Sequence, residues 1–226
     1  MKTALLVALA ALAADAAAVE VQPAPGMNLD PTSFTDLRLA LGLAGPITEA
    51  EAAGVVYEAD PAPGAHIGVQ WVHGTVGDWL GAALGVELAY DDHTGEISKA
   101  TGVQTVYGIG DTRLRAVTIG LLPKLVLRPD YNDPFDWGPG SVQFELGPVI
   151  AAGVGWARIG GSPMSDPTAV LRVGGRLEVV WTDNDHLWQF GLSLAYEAVT
   201  AEPDLSGDAE IGGDGVCGSL IFGRRL

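Results

Sequence analysis

The segment GRLEVVWTDNDHLWQFGLSLAYE, Gly175 to Glu197, sorts its side chains into two faces with a period of two. Leu177, Val179 and Trp181 fall on one face and Arg176 and Glu178 on the other. After a polar turn, Trp188, Phe190, Leu192, Leu194 and Tyr196 oppose Gln189, Gly191, Ser193 and Ala195. Extended strands have this period and helices do not, so the segment reads as a β-hairpin with one large apolar face.

The same alternation recurs along the chain. It appears in DLRLALGLA with Leu37, Leu39, Leu41 and Leu43, in HIGVQWVHG with Ile67, Val69 and Trp71, and in WLGAALGVELAY with Leu80 to Tyr90. RLRAVTIGLLPKLVLR carries Val117, Ile119, Leu121, Leu125 and Leu127 on one face, and SVQFELGPVIAAGVGWA carries Val142, Phe144, Leu146 and Ile150. The hairpin supplies the sixth and seventh strands, and GVCGSLIFGRRL, with Val216, Leu220 and Phe222, is the eighth. Eight strands with a periplasmic N-terminus put the C-terminus on the same side, the even parity of a closed single-chain outer-membrane barrel. Short turns at 75–78, 129–140 and 183–186 then face the periplasm, and connections at 45–64, 91–112, 158–168 and 200–213 face outward. GVQTVYGIG, inside the second outward connection, is strand-like; it extends its neighbours or makes a ten-stranded barrel.

Comparison of the two faces identifies the solvent. A soluble sandwich shows water a face rich in Lys, Glu and Thr, whereas here the second face is mostly Gly, Ala and Ser. Small residues suit the inside of a narrow barrel of about eight strands. The large aliphatics then face lipid, and Trp71, Trp79, Tyr90, Trp156, Trp181, Trp188 and Tyr196 lie near strand ends, where aromatic girdles are expected.

The N-terminus, MKTALLVALAALAADAAAVE, has a basic residue, an apolar run and a small-residue tail, the layout of a secretory signal over 1–18. A Pro-containing linker over 19–33 follows, and the barrel occupies 34–226. No later apolar run reaches the about 18 residues of a membrane-spanning helix. Removing residues 1–18 takes one base and one acid, so the net charge stays at −16, which argues against nucleic acid as a partner. Cys217 is the single cysteine, so no internal disulfide forms.

The run FELGPVIAAGVGWARIGG, then AVLRVGGRLEVVWTDNDHLWQFGLSLAYE and a terminal strand, resembles the last four strands of the small outer-membrane β-barrel superfamily that includes outer membrane proteins A, X and W. The resemblance covers roughly residues 141–226 and rests on Gly-rich alternation. It implies an eight-stranded, up-and-down antiparallel transmembrane barrel, a monomer in outer-membrane lipid, inserted by the outer-membrane assembly machinery.

The inward face collects Arg38, Glu87, Lys124, Glu145, Arg172, Arg176 and Glu178. Charges in a narrow interior must pair, so these are expected to form a salt-bridged plug, with Glu145 a cross-strand partner for the sixth-strand bases, or else a gated narrow pore. The outward connections hold thirteen acids against Lys99 and Arg158, which would favour cations in any pore. His66, His73, His93 and His186 lack a second ligand at metal spacing and read as surface or rim residues. EPDLSGDAEIGGDG fails as a calcium loop, with Ala209 at the turn-glycine position and Gly215 at the bidentate position. Ser193 and His186 fall at different depths, Ser219 has no evident base, and Cys217 reads as a small lumen filler. The expectation is therefore a non-enzymatic outer-membrane barrel without cofactor or metal, structural or surface-interacting, or a narrow cation-preferring pore. The rivals are a secreted soluble β-barrel that binds an apolar ligand and an outer-membrane lipid-modifying enzyme.

Overall fold

The computed structural model describes residues 32–77, 79–102, 105–128, 140–160, 162–183, 187–205 and 209–226. The signal and most of the linker lie outside the described residues. Nine strands follow in order: β1 (Thr32–Leu43), β2 (Glu49–Ala52), β3 (Val55–Val76), β4 (Leu80–Thr101), β5 (Thr105–Leu127), β6 (Gly140–Ile159), β7 (Thr168–Asp183), β8 (Trp188–Ala201) and β9 (Ala209–Arg225).

Each strand from β3 to β9 pairs antiparallel with its sequence neighbour, and β1 pairs with both β3 and β9, so the sheet closes on itself. The short β2 also lies between β3 and β9. β1 and β2 thus share one position in the wall, giving an eight-strand, up-and-down ring with the start of β1 and the end of β9 on one rim. GVQTVYGIG does not add two strands: from Thr105 it is the outer part of β5, paired with β4.

The faces divide as the alternation requires. Leu39, Val69, Leu88, Ile119, Leu177, Leu192 and Leu220 all point outward and are exposed, and every strand of the ring contributes to this apolar band. Trp71, Trp79, Trp181 and Trp188 border it toward the terminal rim, and Tyr90, Trp156 and Tyr196 border it on the distal side. Gly153 shows why small residues recur along the ladder: a Cβ there would collide with the Val117 carbonyl oxygen of the adjacent strand.

Beyond the distal girdle the chemistry of both faces changes. On β4 the outward side passes from Leu88 and Tyr90 to Asp92, Thr94 and Glu96, while the inward side passes from Glu87 and Asp91 to the buried Ile97. The distal interior is an apolar core containing Ile47, Ile97, Leu114, Val170, Val199 and Ile211. A smaller apolar cluster of Phe34, Val72, Val76, Ala83 and Val126 closes the interior near the terminal rim.

The outward connections expected at 45–64 and 91–112 are mostly strand, because β3, β4 and β5 continue past the band as wall. The sequence DPAPGAH disguised this with two prolines and a glycine, which the fold accommodates at a register shift between Ala62 and Ala65. The link Ala44–Thr48 turns into the lumen instead of extending outward. Pro46 has no N–H to continue the ladder, and Ile47, fully buried, donates its N–H to the Thr94 carbonyl of β4 at 3.1 Å.

Candidate functional site

The inward face inside the band is ionic. Arg38 (β1), Glu87 (β4), Lys124 (β5), Glu145 (β6), and Arg172, Arg176 and Glu178 (β7) are all buried and belong to one connected set of ion pairs. Arg38 grips Glu145 through two nitrogens at 2.7 and 2.6 Å, donates to Asp36 at 2.7 Å, and reaches Gln189 at 3.0 Å. Lys124 bridges Glu145 at 2.8 Å and Glu178 at 2.5 Å. Glu145 and Glu178 are register partners on β6 and β7, and like charges so placed repel. Lys124 and Arg38 between them supply the compensating charge.

Arg176 does not pair with Glu145, as expected from the neighbouring strand. It crosses the lumen to Glu87 at 2.7 Å and also takes Glu197 of the adjacent β8 at 2.9 Å. Arg172 likewise takes Glu87 at 2.5 Å and Asp91 at 2.8 Å. A narrow barrel makes this possible, because opposite walls lie within one arginine's reach. Partners thus come from the opposite wall as well as from adjacent strands, as Lys124 on β5 and Glu145 on β6 do.

The structure adds members that sequence reasoning left out. Asp36 accepts from Arg38 and from Arg225 at 2.9 Å, and Arg225 also donates to Gln143 at 2.6 Å. Gln70 donates to Glu87 at 3.0 Å. Glu197 and Asp91 complete the arginine contacts, which brings Asp91 into the lumen and not into the outward connection expected at 91–112. Asp36, Gln70, Gln143, Gln189 and Glu197 share the inward parity of the charges already identified, so strict counting of alternate positions finds them.

His66 and His93 are buried in the lumen, not at a surface or rim. His66 Nδ1 lies 2.6 Å from Asp91, and His93 Nδ1 donates to the Gly45 carbonyl at 2.8 Å, which ties the inturned link to β4. His73 is on the outside, stacked on Trp71, and His186 lies outside the described residues. Six carboxylates (Asp36, Glu87, Asp91, Glu145, Glu178 and Glu197) thus meet five basic side chains, with His66 as the further partner of Asp91.

A cavity of about 10 Å³ lies between this network and the inturned link, lined by His66, His93, Arg172, Ser193, Glu197 and Cys217 among others. That is room for about one water. The Nε2 atoms of His66 and His93 have no hydrogen-bond partner, as expected beside a space that a water can fill. Ser193, His66 and Asp91 supply the residue types of a hydrolytic triad, but no hydrogen bond joins Ser193 to His66 and the cavity cannot admit an acyl substrate. No group of three potential metal ligands converges among the described residues.

Outward of the band, burial holds the His93 imidazole below its ordinary pKa of 6.5. Asp92 accepts two hydrogen bonds from Arg113, one of them 2.6 Å long, and this keeps its carboxyl below the ordinary 3.8 and raises Arg113. Arg158 pairs with Asp111 close by on the same outer wall.

No protein-family profile matches the chain, and no curated protein does. Among solved structures the chain is similar to the outer membrane protein OprG of Pseudomonas aeruginosa, with 12% sequence identity and a TM-score of 0.42 over 86% of this chain and 95% of that one.

Proposed function

We propose that this chain is an integral outer-membrane β-barrel of the small eight-stranded kind, with a lumen plugged by the charge network and a structural or surface-interacting role. The observation that supports it best is the change of chemistry along single strands. Between the two girdles the outside is apolar and the inside ionic, the polarity of a wall in hydrocarbon. Distal to Tyr90 the outside is charged and the inside aliphatic, the polarity of a protein in water. One ring with both polarities stacked along its axis fits a barrel that crosses a bilayer and stands above it. A soluble barrel that carries an apolar ligand would keep its apolar face inside throughout.

The chain would then be exported, folded into outer-membrane lipid by the assembly machinery, and held there as a monomer without a cofactor. With ion pairs spanning the lumen, a cation-preferring pore is the lesser reading. Fractionation tests the location: the protein should stay with outer membranes after a high-pH wash and migrate faster on a detergent gel unboiled than boiled. Solubility without detergent after removal of the signal would overturn the reading. Planar-bilayer recording tests the plug, which predicts negligible steady conductance; a stable, large, anion-selective current would refute it.

A further inference from the structure

The outer wall carries a feature that the plug does not use. Eleven basic residues are described, five of them committed to the lumen. Of the other six, Arg113, Arg115 and Arg158 gather in one patch on β5 and β6, in a chain whose net charge is −16. Arg113 stands directly opposite Arg158, and Arg115 opposite Trp156. Like charges in register repel and call for counter-ions. Two carboxylates pair with these three guanidiniums, and Glu96, opposite Asp111 on β4, forms no ion pair with any of them. Asp92 gives both oxygens to Arg113, and Asp111 pairs with Arg158. Arg115 only approaches Asp92, at 3.7 Å. Arg115 is therefore the guanidinium of the patch with no carboxylate at hydrogen-bond distance, and its side chain is 44% exposed.

Its height on the wall indicates which anion. The next outward-facing residues toward the terminal rim are Val117 on β5 and Val154 on β6, both exposed, with Tyr90 and Trp156 at the same border. A molecule reaching the arginines thus lies with its remainder against the apolar band. The fork of a guanidinium matches the oxygens of a phosphate, and arginine accepts such a group in two-point contact. We infer that Arg115, flanked by Arg113 and Arg158, docks the phosphate headgroup of a membrane lipid in the distal leaflet, its acyl chains lying along Val117 and Val154. A free anion would gain the charge but leave the apolar wall unused. This inference rests on the transmembrane reading.

The test uses the full mature chain folded into uncharged detergent micelles, with insertion confirmed beforehand by the unboiled gel shift. Native mass spectrometry then measures retention of dimyristoyl phosphatidic acid, of dimyristoylglycerol with the same chains and no phosphate, and of inorganic phosphate. Phosphatidic acid should be held at least tenfold more tightly than dimyristoylglycerol. Arg115→Gln should weaken it about three- to tenfold, one charged contact's worth, while Arg224→Gln at the opposite rim leaves it unchanged. Equal retention by Arg115→Gln and the parent would overturn the proposal, as would displacement of the lipid by equimolar inorganic phosphate. Should Arg115→Gln fail to fold, salt decides on the parent protein: added salt must weaken phosphatidic acid and spare dimyristoylglycerol, and equal salt response refutes the site. A chain that shows no gel shift and stays soluble without detergent instead fails the transmembrane reading, a distinct result.

Discussion

Leu192→Arg gives the sharpest reading of what surrounds the wall. Leu192 points outward from β8, 61% exposed, between Val179 and Leu220 of the neighbouring strands. Trp188 of the terminal-side girdle and Tyr196 of the distal girdle flank it on the same face, four residues to either side. Four residues at ~3.3 Å each along a strand tilted by about 40° place each girdle ~10 Å away along the barrel axis, so Leu192 sits near the middle of an apolar band ~25 Å tall. An arginine at the midplane costs ~2–4 kcal/mol, and a tenfold change in equilibrium corresponds to ~1.4 kcal/mol. The folded-to-unfolded ratio should therefore fall roughly 30- to 700-fold. Thr200→Arg, on the same face four residues beyond Tyr196, should cost ~0–1 kcal/mol. Urea titration of folding into phosphatidylcholine vesicles, read by gel mobility, measures both. In a soluble barrel both residues would face water and both substitutions would be cheap. Equal costs at Leu192 and Thr200 would refute the assignment of the band to lipid.

Arg176→Ala removes one partner each from Glu87 and Glu197 in a buried setting and should cost ~3–5 kcal/mol; a loss below ~1 kcal/mol in the same titration would show that the lumen is wet enough to screen the charges. Gly153→Ala forces a Cβ against the Val117 carbonyl and should cost ~1–3 kcal/mol or more, whereas Gly175→Ala, with nothing within 4 Å of the added carbon, should be nearly neutral. The pH dependence follows from His93, whose folded pKa is depressed by burial. The unfolded chain then binds the proton more readily, so the stabilisation is complete above pH 6.5 and is lost as pH falls through the folded value. His93→Asn keeps a donor for Gly45 and should flatten that part of the profile, and an unchanged slope would remove His93 as its source.

Alternation made the band legible in the sequence, because an outward leucine at every second position has one structural meaning when the other face is glycine and alanine. The same parity already placed Asp36, Gln70 and His66 inward. They escape notice because a lone polar residue on a small-residue face looks like any solvated side chain until the ring closes around it. Partner choice was not legible, since Arg176 to Glu87 is a contact across the lumen between strands that share no ladder. The distal wall was hidden for a different reason. DPAPGAH and DDHTGE have loop composition, and the features that keep them in strands are non-local: the pairing of β3 with β4, the bulge at Ala62–Ala65, and the apolar core gathered around Ile97 and Leu114.

The distribution of charge along the axis also bears on how the chain finds one register. In water, burying an apolar face selects which side of a strand turns inward, but in hydrocarbon an outward leucine gains little over an inward one. Facing must then be selected by groups that lipid rejects. β7 carries Leu177 and Val179 on one side and Arg172, Arg176 and Glu178 on the other. A one-residue slip would exchange the sides. Two arginines delivered to lipid cost ~4–8 kcal/mol at midplane depth, before Glu178 is counted, comparable to the whole stability of an ordinary domain. On the transmembrane reading water returns distal to Tyr90, and there Ile97 inside and Glu96 outside restore the usual selection. On that reading the ionic layer lies at the depth where hydrophobic burial cannot specify the fold, and its substitution by apolar residues of equal volume should lose register before it loses secondary structure.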